Sequence, residues 1–204
     1  LSCQVKACVI LPPFYYKGVS DEGLFRFYAQ LVGALADSRL KIILYHIPQM
    51  TQVPISLDLI ARLRNEFPNI FVGVKDSAGD IENMKKMVER FPDFSVLAGA
   101  DPLLLPLLHA GGSGCITATS NLRADSLRFI WDNINDINKK TEIDQHQKRI
   151  KDWRNLSNSY GQISAIKAMI SKVRGDKRWC SLRPPLVALT PQEQQTIWEQ
   201  MQHI

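Results

Sequence analysis

A lysine and a tyrosine are the residues best placed for chemistry. Lys75 and Tyr45 each end an apolar run that reads as a buried strand. Lys75 closes Ile70-Phe71-Val72-Gly73-Val74 and is followed by Asp76-Ser77-Ala78-Gly79-Asp80, small and acidic residues that open a loop and cap a helix. A lysine so placed either snorkels to the surface or is held, partly desolvated, where its amine can lose a proton. An uncharged amine in a low-dielectric mouth can attack a ketone and form a Schiff base. A phenol within reach can move protons to and from the adduct. Asp101 lies just past a third run, Phe94 to Gly99, so the acid, the phenol and the amine all stand at strand ends.

The elements that position these groups repeat along the chain. Gln4 to Leu11 reads as a strand closed by Pro12-Pro13, and its loop carries Phe14, Tyr15 and Tyr16. Ser20 caps a helix with Leu24, Phe25, Tyr28, Leu31, Val32 and Leu35 at helical spacing. Lys41 to Tyr45 is a second strand, with Ile42 and Leu44 on one face and Ile43 and Tyr45 on the other. Ser56 caps a helix bearing Leu57, Ile60, Leu63 and Phe67, and the Lys75 strand follows. Asp80 caps Ile81, Met84, Val88 and Phe91; then come the strand Phe94 to Gly99, a short helix from Pro102 to His109 and a strand from Cys115 to Thr119. A further helix carries Leu127, Ile130, Trp131, Ile134 and Ile137.

These make five strand-then-helix units, the signature of parallel strands joined by right-handed crossovers. Beyond residue 140 only helices are predicted, over Ile143 to Leu156, Ile163 to Val173 and Pro191 to Met201. The expected organisation is α/β, with an incomplete barrel over 1–140 and a helical region over 141–204. In such domains functional groups gather at the carboxyl ends of the strands, where loops converge. Period two puts Phe71, Gly73 and Lys75 on one face and Val72 and Val74 on the other, and Gly73 would leave space beneath the amine.

Composition narrows the class. The chain has 204 residues, 45% of them hydrophobic, enough for a sizeable core. No apolar run approaches a membrane span and the apolar start lacks a signal-peptide cleavage site, which predicts a cytoplasmic protein that binds no membrane. Cys3, Cys8, Cys115 and Cys180 form no CxxC pair, and the four histidines show no ligand spacing, so neither a disulfide framework nor a metal site is expected. Net charge is +5, yet residues 139–178 hold eleven Lys/Arg against four Asp/Glu, so the excess is local. Without an aromatic ladder or a nucleic-acid motif it reads as a solvated helical face, not a nucleic-acid site.

Tyr45-His46-Ile47-Pro48, Gly73-Val74-Lys75-Asp76-Ser77, Leu97-Ala98-Gly99-Ala100-Asp101 and Gly111-Gly112-Ser113-Gly114-Cys115-Ile116, in this order, carry a resemblance. The chain resembles the dihydrodipicolinate synthase and N-acetylneuraminate lyase superfamily, the class I pyruvate aldolases that work through a lysine Schiff base. The resemblance runs over nearly the whole chain. It implies a (β/α)8 TIM barrel of which this chain holds about five βα units, strands four to eight, and the C-terminal helices. It also implies that Lys75 forms an imine with pyruvate or a pyruvate-releasing 2-keto acid, with Tyr45 as proton shuttle and no cofactor. Tyr15, or Tyr16 because the loop is one residue longer, would reach across a dimer contact toward a neighbouring active site. Ser77 and the Ile116 carbonyl would line the pocket, and Asp101 stands where sialate lyases hold the distal part of their substrate, or else caps the Pro102 helix. The family is usually tetrameric, so a homo-oligomer acting on a small 2-keto acid is implied.

Three departures shape the expectation. The family's first three strands, with the Gly-Thr-Thr-Gly-Glu loop that binds the pyruvate carboxylate, have no counterpart, and the chain starts with Leu1. Five units do not close an eight-stranded barrel, so a fragment, a truncated product or a chain whose missing part lies elsewhere is expected, and the alternative reading is an inactive remnant serving as a folded partner or scaffold subunit. Met50 stands two residues after Pro48, where dihydrodipicolinate synthases place a carboxylate-binding arginine. That favours a sister aldolase acting on a 2-keto-3-deoxy sugar acid or a 4-hydroxy-2-oxo acid. Pro102 follows Asp101 where sialate lyases place a glutamate, which counts against sialic acid.

Overall fold

A computed structural model describes residues 5–37 and 39–204. The chain divides into two compact units, one ending at Ile116 and the other beginning at Thr117. The first unit is a parallel sheet alternating with helices: β1 (Ala7–Ile10), α1 (Asp21–Leu35), β2 (Lys41–His46), α2 (Pro48–Thr51), α3 (Leu57–Glu66), β3 (Phe71–Asp76), α4 (Ile81–Arg90), β4 (Ser95–Ala98), α5 (Leu104–His109) and β5 (Gly114–Cys115). The strands lie in chain order and every neighbouring pair is parallel, with a helical connection between successive strands. Gln4 and Cys3, counted in the sequence reading, lie outside the described residues.

Helix starts follow the expected caps. Ser20 accepts from the Gly23 N–H, Ser56 from Leu59, and Asp80 from both Glu82 and Asn83, each satisfying donors the first turn leaves open. Ile42, Leu44, Val74, Val96 and Ala98 pack from the sheet against Leu24 and Tyr28 of α1, Leu59, Ile60 and Leu63 of α3, and Met84 and Met87 of α4. The opposite face carries Ile43, Tyr45, Gly73 and Lys75, all outside that core.

One strand departs from strict alternation. Ile42 pairs with Phe71 while Ile43 pairs with Gly73, so Val72 has no partner opposite and β3 is bulged there. Phe71 therefore turns to the helix side, buried against the rings of Tyr28 and Phe67, instead of sharing the face of Gly73 and Lys75. The expected space beneath the amine is also occupied: a Cβ at Gly73 would lie 2.6 Å from the Ser95 carbonyl oxygen, so the glycine lets β4 come close.

Other boundaries move by smaller amounts. β5 has two residues and not five; its ladder ends after the Ile116 N–H donates to the Ala98 carbonyl at 2.9 Å. The expected Pro102 helix is a 3₁₀ turn over Asp101–Leu103 running into α5, and α2 was not foreseen.

The second unit is helical, with α6 (Ser120–Asn133), α7 (Lys140–Asn158), α8 (Gln162–Arg174) and α9 (Pro191–Gln200). α6 ends before Ile137, which lies in a 3₁₀ turn and is 85% exposed, so that residue is not on the apolar stripe of the helix. Trp153, Leu156, Ala165, Met169 and Ile197 form its core, and the Trp198 indole donates to the Ala168 carbonyl at 3.0 Å. Thr190 and Glu193 close a capping box on α9. Among the described residues no helix is long and apolar enough to cross a membrane.

Candidate active site

β2 and β3 place the two key side chains. Tyr45 and Lys75 are direct partners in the parallel register, and both point to the sheet face away from the helices. The Lys75 Nζ lies 4.0 Å from the centroid of the Tyr45 ring. The amine lies against the face of the phenol ring, a cation–π contact that keeps the two side chains side by side. Each stands one residue before its strand ends, not on the last residue.

The residue that follows each of them is polar and buried on the other side of the sheet. His46 and Asp76 are register partners, 5% and 0% exposed. Desolvation pushes the Asp76 carboxyl up from the usual range, against the pull of the Ala78 N–H, of His46 and of Asn83. The His46 imidazole is held below its ordinary value by the same burial, partly offset by Asp76. The Ile55 N–H donates to His46 Nδ1 at 3.1 Å.

The loops after β2, β3 and β4 are tied to one another by short bonds. The Ser77 N–H donates to the His46 carbonyl at 2.8 Å and the Gly99 N–H to the Asp76 carbonyl at 2.7 Å. Gln49 Nε2, from α2, donates to the Ser77 carbonyl at 2.6 Å. Ser77 sits so close over Gly99 that a Cβ there would fall 1.9 Å from its Oγ. This contact and the Gln49 clamp were not legible in the sequence, because both depend on which loops face each other in the fold.

The remaining predicted residues divide. Asp101 is fully buried in the turn after β4, and with burial its charge pushes the Cys115 thiol up to about 12, so the acid faces β5; Ala100, not Asp101, stands at the cap position of that turn. Ile116 follows β5 and is 36% exposed. Tyr45, Lys75, Ser77, Asp101 and Ile116 thus all lie at or just beyond the carboxyl ends of β2 to β5, within the first unit. Tyr15 lies on the loop after β1. It is 83% exposed, its ring set edge-on to Tyr16 at 5.2 Å, on a loop that Lys17 ties to the Phe14 and Thr51 carbonyls. A groove of about 450 Å³ lined by Arg64, Asn69, Phe71, Val72 and Asp93 lies at the amino end of β3, away from this chemistry. Cys8, Cys115 and Cys180 are free thiols, and among the described residues no His, Cys, Asp or Glu group is arranged to hold a metal ion.

Comparison with known proteins gives the family. The profile of the Dihydrodipicolinate synthetase family matches residues 3–204. An uncharacterized DapA-like lyase of Chloroflexus aurantiacus is 33% identical over 93% of this chain and 62% of its own length. The 4-hydroxy-tetrahydrodipicolinate synthase of Bacillus subtilis is 28% identical over 93% of this chain and 63% of that protein. The crystal structure of dihydrodipicolinate synthase from Agrobacterium tumefaciens superimposes with a TM-score of 0.85 and 27% identity, covering 99% of this chain and 67% of that one. The chain therefore spans somewhat less than two thirds of the length of these curated relatives, and the five-stranded unit corresponds to part of a TIM barrel.

Proposed function

The chain belongs to the Dihydrodipicolinate synthetase family, and on that premise we propose that the whole protein is a class I pyruvate aldolase with Lys75 as its Schiff-base lysine. The observation that carries the reading is the Lys75 amine 4.0 Å over the Tyr45 ring at the carboxyl end of a parallel sheet. The neutral amine attacks the keto carbon of the substrate and expels water; the imine then accepts the electron pair of the bond between its α and β carbons as that bond breaks, and the β carbon leaves as an aldehyde once its hydroxyl has lost a proton. The enamine then takes a proton, water hydrolyses the imine, and pyruvate leaves; the synthetic direction is the reverse. Tyr45 carries protons to and from the carbinolamine and takes the proton of the hydroxyl that becomes the aldehyde carbonyl.

Ser77 and the Ile116 carbonyl are proposed to line the pyruvate pocket, with Asp101 toward the distal part of the substrate. The exposed Tyr15 is proposed to serve a neighbouring copy in a homo-oligomer, with Tyr16 the other tyrosine on that loop. Met50, 73% exposed after Pro48, offers no cation to a second carboxylate. The substrate proposed is accordingly a 2-keto-3-deoxy sugar acid or a 4-hydroxy-2-oxo acid.

Pyruvate release from both substrate classes, followed by coupled reduction with lactate dehydrogenase, tests this reading. Turnover with either class is expected, falling roughly 10²- to 10⁴-fold in Tyr45→Phe and to background in Lys75→Ala. Release that persists in Lys75→Ala would contradict the assignment.

A further inference from the structure

We propose that His46 and Asp76 are a positioning pair for the reactive centre, holding the ends of β2 and β3 in register and setting the charge that the Lys75 amine feels from behind the sheet. This rests on the reading of Lys75 as the Schiff-base lysine. A buried imidazole and a buried carboxylate occupy a layer where apolar residues would cost less, so something must offset their desolvation. Both are in contact with the segments that frame the mouth.

Asp76 binds its own loop through the Ala78 N–H at 2.8 Å and α4 through Asn83 Nδ2 at 3.2 Å, while its carbonyl takes the Gly99 N–H beyond β4. His46 takes the Ile55 N–H on Nδ1, which leaves the ring proton on Nε2, and its carbonyl takes the Ser77 N–H. The pair therefore reaches the chain after β2, β3 and β4 at once. Tyr45 and Lys75, one residue earlier on the same strands, inherit their register from it.

The charge argument follows from the same placement. A carboxylate behind the strand favours the ammonium form of an amine on the other face, and His46 beside it moderates that charge. The other titratable group that acts on the pair is Asp80 at the start of α4, which acts on Asp76, while on the β4–β5 side Asp101 acts on Cys115. Asp80 and Asp101 add negative charge; neither is placed on the two strands that carry the amine and the phenol.

The test uses the full chain and Asp76→Asn, which keeps the shape and an acceptor for the Ala78 N–H. Each is incubated with pyruvate and borohydride from about pH 5 to 9, and the reduced adduct on Lys75 is quantified by mass spectrometry. In parallel the His46 imidazole is titrated by ¹⁵N NMR, which needs no activity. Removing the carboxylate is expected to shift the midpoint of adduct formation to lower pH by roughly half a unit to one unit and to lower the His46 titration further. If both midpoints stay where they are in the native chain, the pair does not act as proposed. If the native chain gives no adduct at any pH, the lysine assignment fails by itself. In that case the His46 titration judges the pair: a displaced midpoint supports the coupling and an unchanged one overturns it.

Discussion

Ser77 and Gly99 show how one missing side chain holds a loop in place. A Cβ at Gly99 would meet Ser77 at its Oγ, Cβ and Cα, at 1.9, 2.8 and 2.9 Å, and the last of these is backbone that a rotamer change cannot move aside. Gly99→Ala is therefore expected to cost about 1–3 kcal/mol of stability and to displace the loop after Lys75. Adding Ser77→Gly should recover part of the loss, because it removes two of the three contacts but not the one to Cα. Denaturant unfolding of the two variants checks this, and equal stability of both would contradict it. At this scale Lys75 and Tyr45 were legible because a charged or phenolic residue closing an apolar run is unusual chemistry. Gln49 and Gly99 were not, since their roles depend on which loops face each other. His46 stood out in the sequence only as one residue of the Tyr45 motif and one of four histidines without ligand spacing, and what gives it weight is its register partner Asp76.

At the scale of elements the sequence reads well where a cap and a period agree. Ser20, Ser56, Asp80 and Thr190 each start the helix expected of them. Periodicity fails where the chain breaks its own rule, as at Val72, because a bulge leaves no mark on the hydrophobic pattern: Phe71, Val72 and Val74 are all apolar whichever face they occupy. Ile137 continues a helical stripe on paper, but α6 stops at Asn133 and leaves it exposed. The bulge makes a paired prediction. Deleting Val72 removes the unpaired residue, regularises the ladder and leaves Lys75 on its face. Deleting Val74 shifts the rest of β3 by one and turns Lys75 toward the helices. The Val72 deletion should retain the borohydride-trapped pyruvyl adduct and the Val74 deletion should lose it; the same yield from both would refute the register assigned to β3.

Over the whole molecule, two units carry separate cores, one built on the parallel sheet and one on Trp153, Leu156, Met169 and Ile197. The sheet class and the helical character of the C-terminal stretch were legible because strand signals stop after the fifth unit. The local basic excess of residues 139–178 is partly neutralised within that stretch, by Lys139 with Glu142, Lys148 with Asp152 and Arg178 with Asp176. All of these pairs are largely exposed and contribute little to stability.

The most direct measurement is reduction of the chain with borohydride in the presence of pyruvate, followed by peptide mapping. One pyruvyl group is expected, on the peptide containing Lys75, and Lys75→Arg should abolish it while leaving the fold intact by circular dichroism. A folded native chain that takes up no pyruvyl group, or takes it up on a different lysine, would contradict the account.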